Sequence, residues 1–164
     1  MADVANSKLL QQLEGIQQLT DAFVVLVKTE WNAAIVDALE EGCIRILKTH
    51  QIPFTTLIVP GAVELPFAVQ YYWQAAAKKP TAFVVLGCVV RGDTPHFEYV
   101  CQSVTQGVTS LNVTLPVPTI FGVLTVNTAE QAQERIGGAH GHKGEESAIT
   151  ALKMMVLQKQ ITNG

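Results

Sequence analysis

The sequence predicts an α/β protein, a three-layer α/β/α sandwich around a four-stranded parallel sheet. Short apolar runs rich in β-branched residues alternate four times with longer stretches of helical pattern. The first of them, over 23–27, is continuously apolar rather than alternating, as expected of a strand buried on both faces. A helix-like stretch separates each run from the next, and parallel strands need such crossovers.

The first run spans 23–27 and is followed by a helical pattern from Asn32 to about Lys48. Ile35, Leu39, Cys43 and Ile46 share one helical face, and Asp37, Glu41, Arg45 and Lys48 the opposite one. The second strand covers 54–59 and leads through the turn Pro60-Gly61 into a helix ending near Lys79. The third covers 82–90, with Phe97, Val100, Cys101, Val104 and Val108 on one stripe of the helix that follows. The fourth covers 119–125, then a helix to about Ile136, a glycine-rich break, and a last helix from about Lys143 to Lys159. No linker or repeat divides the chain, so residues 21–160 are expected to form one domain behind a polar N-terminal arm over 1–20.

Composition narrows the function classes. Of 164 residues, 48% are hydrophobic and only 15% charged, against roughly 25% charged in an average soluble domain. A small subunit has much surface to cover, so this deficit points to burial against further copies of the chain. No stretch of about 18 apolar residues offers a membrane span. The N-terminus lacks the basic-then-apolar order of a signal peptide, and a cytoplasmic protein is expected. A net charge of −3 without a basic stripe argues against nucleic acid. Cys43, Cys88 and Cys101 sit among apolar residues and read as small buried hydrophobes in a reducing compartment. Asn112-Val113-Thr114 matches a glycosylation sequon, which carries no meaning without a secretory signal.

In parallel α/β sheets ligands bind outside the carboxyl ends of the strands, which directs attention to residues 29–32, 60–64, 91–96 and 127–128. Arg91-Gly92-Asp93-Thr94-Pro95-His96 carries the most chemistry. Pro95 suits a first helical turn, Thr94 an N-cap, and Gly92 a close backbone approach. Free N–H groups and the helix dipole there suit a phosphate, although most such runs are ordinary capped turns. His96 in the same turn feels the positive end of the dipole, which favours a neutral imidazole able to accept a proton. A lone histidine is more often a surface or capping residue. Trp31 could stack on a flat heterocycle or simply pack at a helix start. Glu64 lies in an apolar run and needs a partner, either ligand hydroxyls or a salt bridge. Arg135 and Lys143 flank the segment Gly137-Gly138-Ala139-His140-Gly141-His142. His140 and His142 lack a nearby third ligand or cysteine cluster, so no metal is expected.

Taken in order, these segments resemble the 6,7-dimethyl-8-ribityllumazine synthase family over about residues 21–160. The resemblance rests on Trp31-Asn32, on 60–66, on 87–97, on 118–125, and on Arg135 followed by Gly141-His142-Lys143-Gly144. The segment 87–97 is the most specific. It implies a flavodoxin-like fold, pentamers with each active site between neighbours, and condensation of 5-amino-6-(D-ribitylamino)uracil with 3,4-dihydroxy-2-butanone 4-phosphate. Neither metal nor organic cofactor is implied. By the same resemblance Trp31 would stack on the pyrimidine, with Phe121 of a neighbour close to that ring. Asn32, Ala62, Val63, Glu64, Val89 and Val90 would line the site, Ala62 through its N–H and Glu64 through ribityl hydroxyls. Gly92, Asp93 and Thr94 would hold the phosphate together with a neighbour's Arg135, Lys143 would stand nearby, and His96 would shuttle protons.

Two positions depart from the family pattern: Ala139 where many members carry lysine, and His142 where many carry asparagine. The glycine-rich segment lacks an insertion found in some smaller assemblies, which leaves a 60-subunit shell of pentamers open. A riboflavin synthase is a candidate partner. Rival readings are a pentameric riboflavin synthase of the same fold and a non-catalytic flavin-binding protein. The phosphate-type segment 92–96 and Arg135 speak against both. A response-regulator receiver fails because no acidic pair follows the first strand.

Overall fold

A computed structural model describes residues 14–163. Four parallel strands, β1 (Val24–Thr29), β2 (Phe54–Val59), β3 (Ala82–Val90) and β4 (Thr119–Val126), form one sheet in the order β2-β1-β3-β4. The helices are α1 (Ala33–Thr49), α2 (Leu65–Ala75), α3 (His96–Thr114), α4 (Ala129–Gln133) and α5 (Lys143–Asn163). The expected three-layer sandwich is therefore the observed one.

Alternation along each strand feeds two cores. Val24 and Leu26 of β1, with Val84 and Leu86 of β3, face α1 and α5. Val25, Val27, Phe83 and Val85 face the opposite layer, where α2 contributes Val69 and α3 contributes Val104 and Val108. All eight of these strand side chains are fully buried, which is why polar alternation is absent from the sequence. On the first side, α1 and α5 pack backbone to backbone. A Cβ on Gly144 would lie 2.0 Å from the Leu39 carbonyl oxygen, and the His142 ring lies over Gly42.

Several boundaries differ from the sequence expectation for local reasons. β1 starts at Val24 because the Phe23 N–H donates to Thr81 Oγ1 at 2.9 Å, outside the ladder. α2 ends at Ala75, four residues early, since Ala76 turns extended and Lys79 Nζ folds back to the Trp73 and Gln74 carbonyls. α4 stops at Gln133 and does not reach Ile136. What reads as a glycine-rich break is a small antiparallel hairpin of β5 (Ile136–Gly138) and β6 (Gly141–His142). Gly137 and Gly141 have φ of 115° and 76°, a region that favours glycine. Residues 1–13 of the expected arm lie outside the described residues, while Ile16, in a short 3-10 turn, and Leu19 are buried in the core.

The α1–α5 contact gives a direct test. Gly144→Ala places a methyl against the Leu39 carbonyl, and overpacking of this kind costs about 1–3 kcal/mol. Calorimetry of the variant should show a melting transition lowered by several degrees, whereas an unchanged transition would mean that the helices separate freely.

Candidate active site

The strand order reverses between β1 and β3, so the segments leaving those strands diverge and open a crevice. A cleft of about 540 Å³ lies there, lined by Trp31, Asn32, Gly61, Ala62, Val63, Glu64, Cys88, Val89, Val90, His96 and Val100. Three strand-end segments and the start of α3 thus meet in one place. The Trp31 indole is 72% exposed at its wall.

Local geometry explains how each group is held. Asn32 adopts a left-handed conformation with φ 58°, and its Nδ2 donates to the Cys88 carbonyl at 2.8 Å. Asparagine tolerates that backbone better than most residues. The bond ties the segment after β1 to the end of β3. Gly61 is extended, and a Cβ there would lie 3.1 Å from Glu64 Oε2 and 3.5 Å from Trp31 Cδ1. Its missing side chain lets the carboxylate and the indole approach one another. Glu64 is exposed on a 3-10 turn and forms no ion pair among the described residues, so of its two expected partners the salt bridge is not made. Water solvates the carboxylate.

Thr94 is not the N-cap by position, because α3 begins at His96 and Pro95 precedes it. Its hydroxyl still accepts from the His96 N–H, at a long 3.4 Å. Gly92, Asp93 and Thr94 form an exposed loop beside the cleft and do not line it. No atom lies within 4 Å of a Cβ built on Gly92. Arg91 anchors the loop's start, bonding Asn127 Oδ1 at 2.9 Å, pairing with Glu98, and covering the Phe97 ring at 4.2 Å.

Phe121, Arg135 and Lys143 are elsewhere. They share a groove of about 600 Å³ along β4, the opposite side of β3 from β1 and an edge of the sheet. Phe121 is 40% exposed, while Arg135 is 7% exposed and donates to the Gln131 carbonyl at 2.5 Å. Lys143 Nζ meets both Glu146 oxygens at 2.9 and 2.8 Å, and the Lys143 N–H donates to the Arg135 carbonyl at 2.8 Å. No lining residue is shared by the groove and the cleft. One chain therefore carries the expected site residues as two separate sets.

Two of the three cysteines are buried, Cys101 being half-buried. Burial pushes the Cys88 thiol up to about 11 and the Cys43 thiol to about 12. Burial also lowers His142, whose Nδ1 has no hydrogen-bond partner among the described residues. Sequence reasoning missed Gly61, Cys88 and Val100 as cleft residues. Gly61 was legible as a turn glycine next to Glu64, but the other two required knowing which strand end faces which loop. Asn112 ties α3 to the start of β4: its amide donates to the Thr119 carbonyl at 2.8 Å and accepts the Thr119 N–H at 2.9 Å.

Fold and cleft define a doubly wound α/β protein with a ligand crevice at its topological switch point. Residues 21–159 match the sequence profile of 6,7-dimethyl-8-ribityllumazine synthase. The chain is 49% identical to a curated 6,7-dimethyl-8-ribityllumazine synthase of Porphyromonas gingivalis, over 85% of this chain and 87% of that protein. It is 47% identical to the protein of the same name from Parabacteroides distasonis, over 86% and 89% of the two chains. For Cytophaga hutchinsonii the identity is 44%, over 92% and 96%. The chain belongs to the 6,7-dimethyl-8-ribityllumazine synthase family.

The Asn32 strut is separable from its backbone. Asn32→Gly keeps the left-handed turn and loses one hydrogen bond, about 1 kcal/mol. Asn32→Ala loses the bond and adds about 1–2 kcal/mol of left-handed strain. Thermal unfolding should rank the parent above Gly and Gly above Ala; equal melting of all three would deny the strut any weight.

Proposed function

We propose that the chain is a transferase of riboflavin biosynthesis that condenses 5-amino-6-(D-ribitylamino)uracil with 3,4-dihydroxy-2-butanone 4-phosphate. The products are 6,7-dimethyl-8-ribityllumazine, phosphate and water. The observation that carries this reading is the uncovered Trp31 indole beside Glu64 and His96 in one cleft. A flat aromatic face suits a pyrimidine, and a solvated carboxylate next to it suits a polyol tail. Ala62 offers its N–H, while Asn32, Val63, Val89 and Val90 complete the walls.

In this reading the uracil amine adds to the ketone carbonyl and loses water to give an imine. The hydroxyl-bearing carbon then gives up its proton as the phosphate leaves with the electrons of its C–O bond, the resulting enol becomes a ketone, and the ribitylamino nitrogen adds to that ketone and closes the ring with loss of a second water. His96 accepts and returns the protons. Gly92, Asp93 and Thr94 hold the phosphate. Most of the acceleration comes from holding two reactants side by side, for which no resident cofactor is needed.

Phe121, Arg135 and Lys143 enter from a second copy, whose β4 groove closes over the cleft. A contact between two different surfaces of one chain generates a ring when the rotation between copies closes. Exposed apolar side chains at both edges of the sheet support it: Ile58 on β2, 63% exposed, and Phe121 on β4 with Met154 and Leu157 on α5. The assembly is read as a homopentamer or a shell of pentamers. No described helix is long and apolar enough to cross a membrane. The enzyme is read as cytoplasmic, with a riboflavin synthase as candidate partner.

Mixing both substrates with the protein should raise the lumazine absorbance band, and neither substrate alone should. Dismutation of added lumazine in place of that signal would favour the riboflavin synthase reading. His96→Ala should lower kcat by roughly 10²-fold and leave measurable turnover. Arg135→Ala should raise KM for the phosphate substrate by about tenfold or more, because charge-assisted bonds to a shielded phosphate are lost. An unchanged KM would locate the anion elsewhere. Light scattering should find the smallest active species to be a pentamer, and a fully active monomer would overturn the shared site.

A further inference from the structure

Arg91 stands between the two ends of the exposed loop over residues 91–95. Its N–H donates to the Val126 carbonyl at 2.9 Å, continuing the β3–β4 ladder one residue past β3. Its side chain is spent in three directions. Nε donates to Asn127 Oδ1 at 2.9 Å just beyond β4, one terminal nitrogen pairs with Glu98 in the first turn of α3, and the guanidinium carbon lies 4.2 Å from the Phe97 ring centre. The pairing with Arg91 holds the exposed Glu98 carboxyl below its ordinary range. The loop's other ties are local: Thr94 Oγ1 to the His96 N–H at 3.4 Å, and Pro95 O to the Glu98 N–H at 3.1 Å. Nothing packs on Gly92.

We infer that Arg91 is a positioning residue that fixes where the Gly92–Asp93–Thr94 backbone stands relative to the cleft. It does so by bolting the ends of β3 and β4 to the first turn of α3, and it thereby sets affinity for the phosphate-bearing substrate. This rests on the reading that the loop holds the phosphate. The guanidinium is committed to Asn127, Glu98 and Phe97, so it acts through the loop and not on the anion. Only a planar, forked cation serves three partners in different directions; a lysine keeps the charge and loses the fork and the stacking. Because the residue is 42% exposed and outside both cores, the fold does not depend on it.

The experiment measures KM for each substrate, kcat and melting temperature of the assembled enzyme and of Arg91→Lys and Asn127→Ala. Arg91→Lys should raise KM for the phosphate substrate about fivefold or more, with the uracil KM and the melting temperature essentially unchanged. Asn127→Ala should shift the same constant in the same direction, to a smaller extent. An Asn127→Ala enzyme with an unchanged or lowered phosphate-substrate KM would make the freed guanidinium a ligand in its own right and overturn the inference. So would a silent Arg91→Lys, or one in which both KM values and the melting temperature move together. Thr94→Val separates the two levels. If it raises the phosphate-substrate KM while Arg91→Lys is silent, only the positioning role fails. If Thr94→Val and Arg91→Lys are both silent, the phosphate reading of the loop fails with it.

Discussion

β1 and β3 lie side by side, yet the chain leaves them toward opposite faces of the sheet, α1 into one layer and α3 into the other. Side chains at those strand ends cannot close over the gap, because the backbone that would fill it has been carried away. The crevice is a consequence of topology before any residue is chosen for chemistry. What the residues add is its width: the bond from Asn32 to the Cys88 carbonyl spans it at a fixed distance. Trp31, one residue earlier, is then held outside the core with nowhere to bury its ring.

The β4 edge poses a different problem. An exposed strand edge invites pairing with another chain, and here the groove beside it holds cations as well as Phe121. The Lys143–Arg135 main-chain bond at the base of the β5–β6 hairpin keeps the two cationic residues in fixed relation. Their local partners, the Gln131 carbonyl and the Glu146 carboxylate, orient them without a ligand. The two cationic side chains of the groove are thus held by contacts within the chain.

Much of this was legible in the sequence, and the reasons are physical. β2 and β3 were readable to the residue because each strand-like run stops abruptly, at Pro60 and at Arg91. Trp31, Glu64 and His96 were readable because strand ends gather at one edge of a parallel sheet. The hairpin was not, since glycine-rich chain has no side-chain period to reveal it. The end of α2 was set by Lys79 reaching back to carbonyls, a contact that propensity does not describe. The role of Arg91 depends on Asn127, 36 residues away, and no local pattern joins them. That Phe121, Arg135 and Lys143 sit apart from the cleft follows from the strand order, not from their spacing.

Cys88 was read as a buried hydrophobe, and it is one, but it is also a wall of the cleft. Its neighbourhood of strand ends strips water from the sulfur and pushes the thiol up to about 11. Burial so disfavours the thiolate, the form that attacks carbon. Cys88 carries the one thiol among the residues that line the cleft. Burial makes the sulfur chemically silent while leaving its volume and its main-chain carbonyl in use. Desolvation at this position protects the chemistry by subtraction.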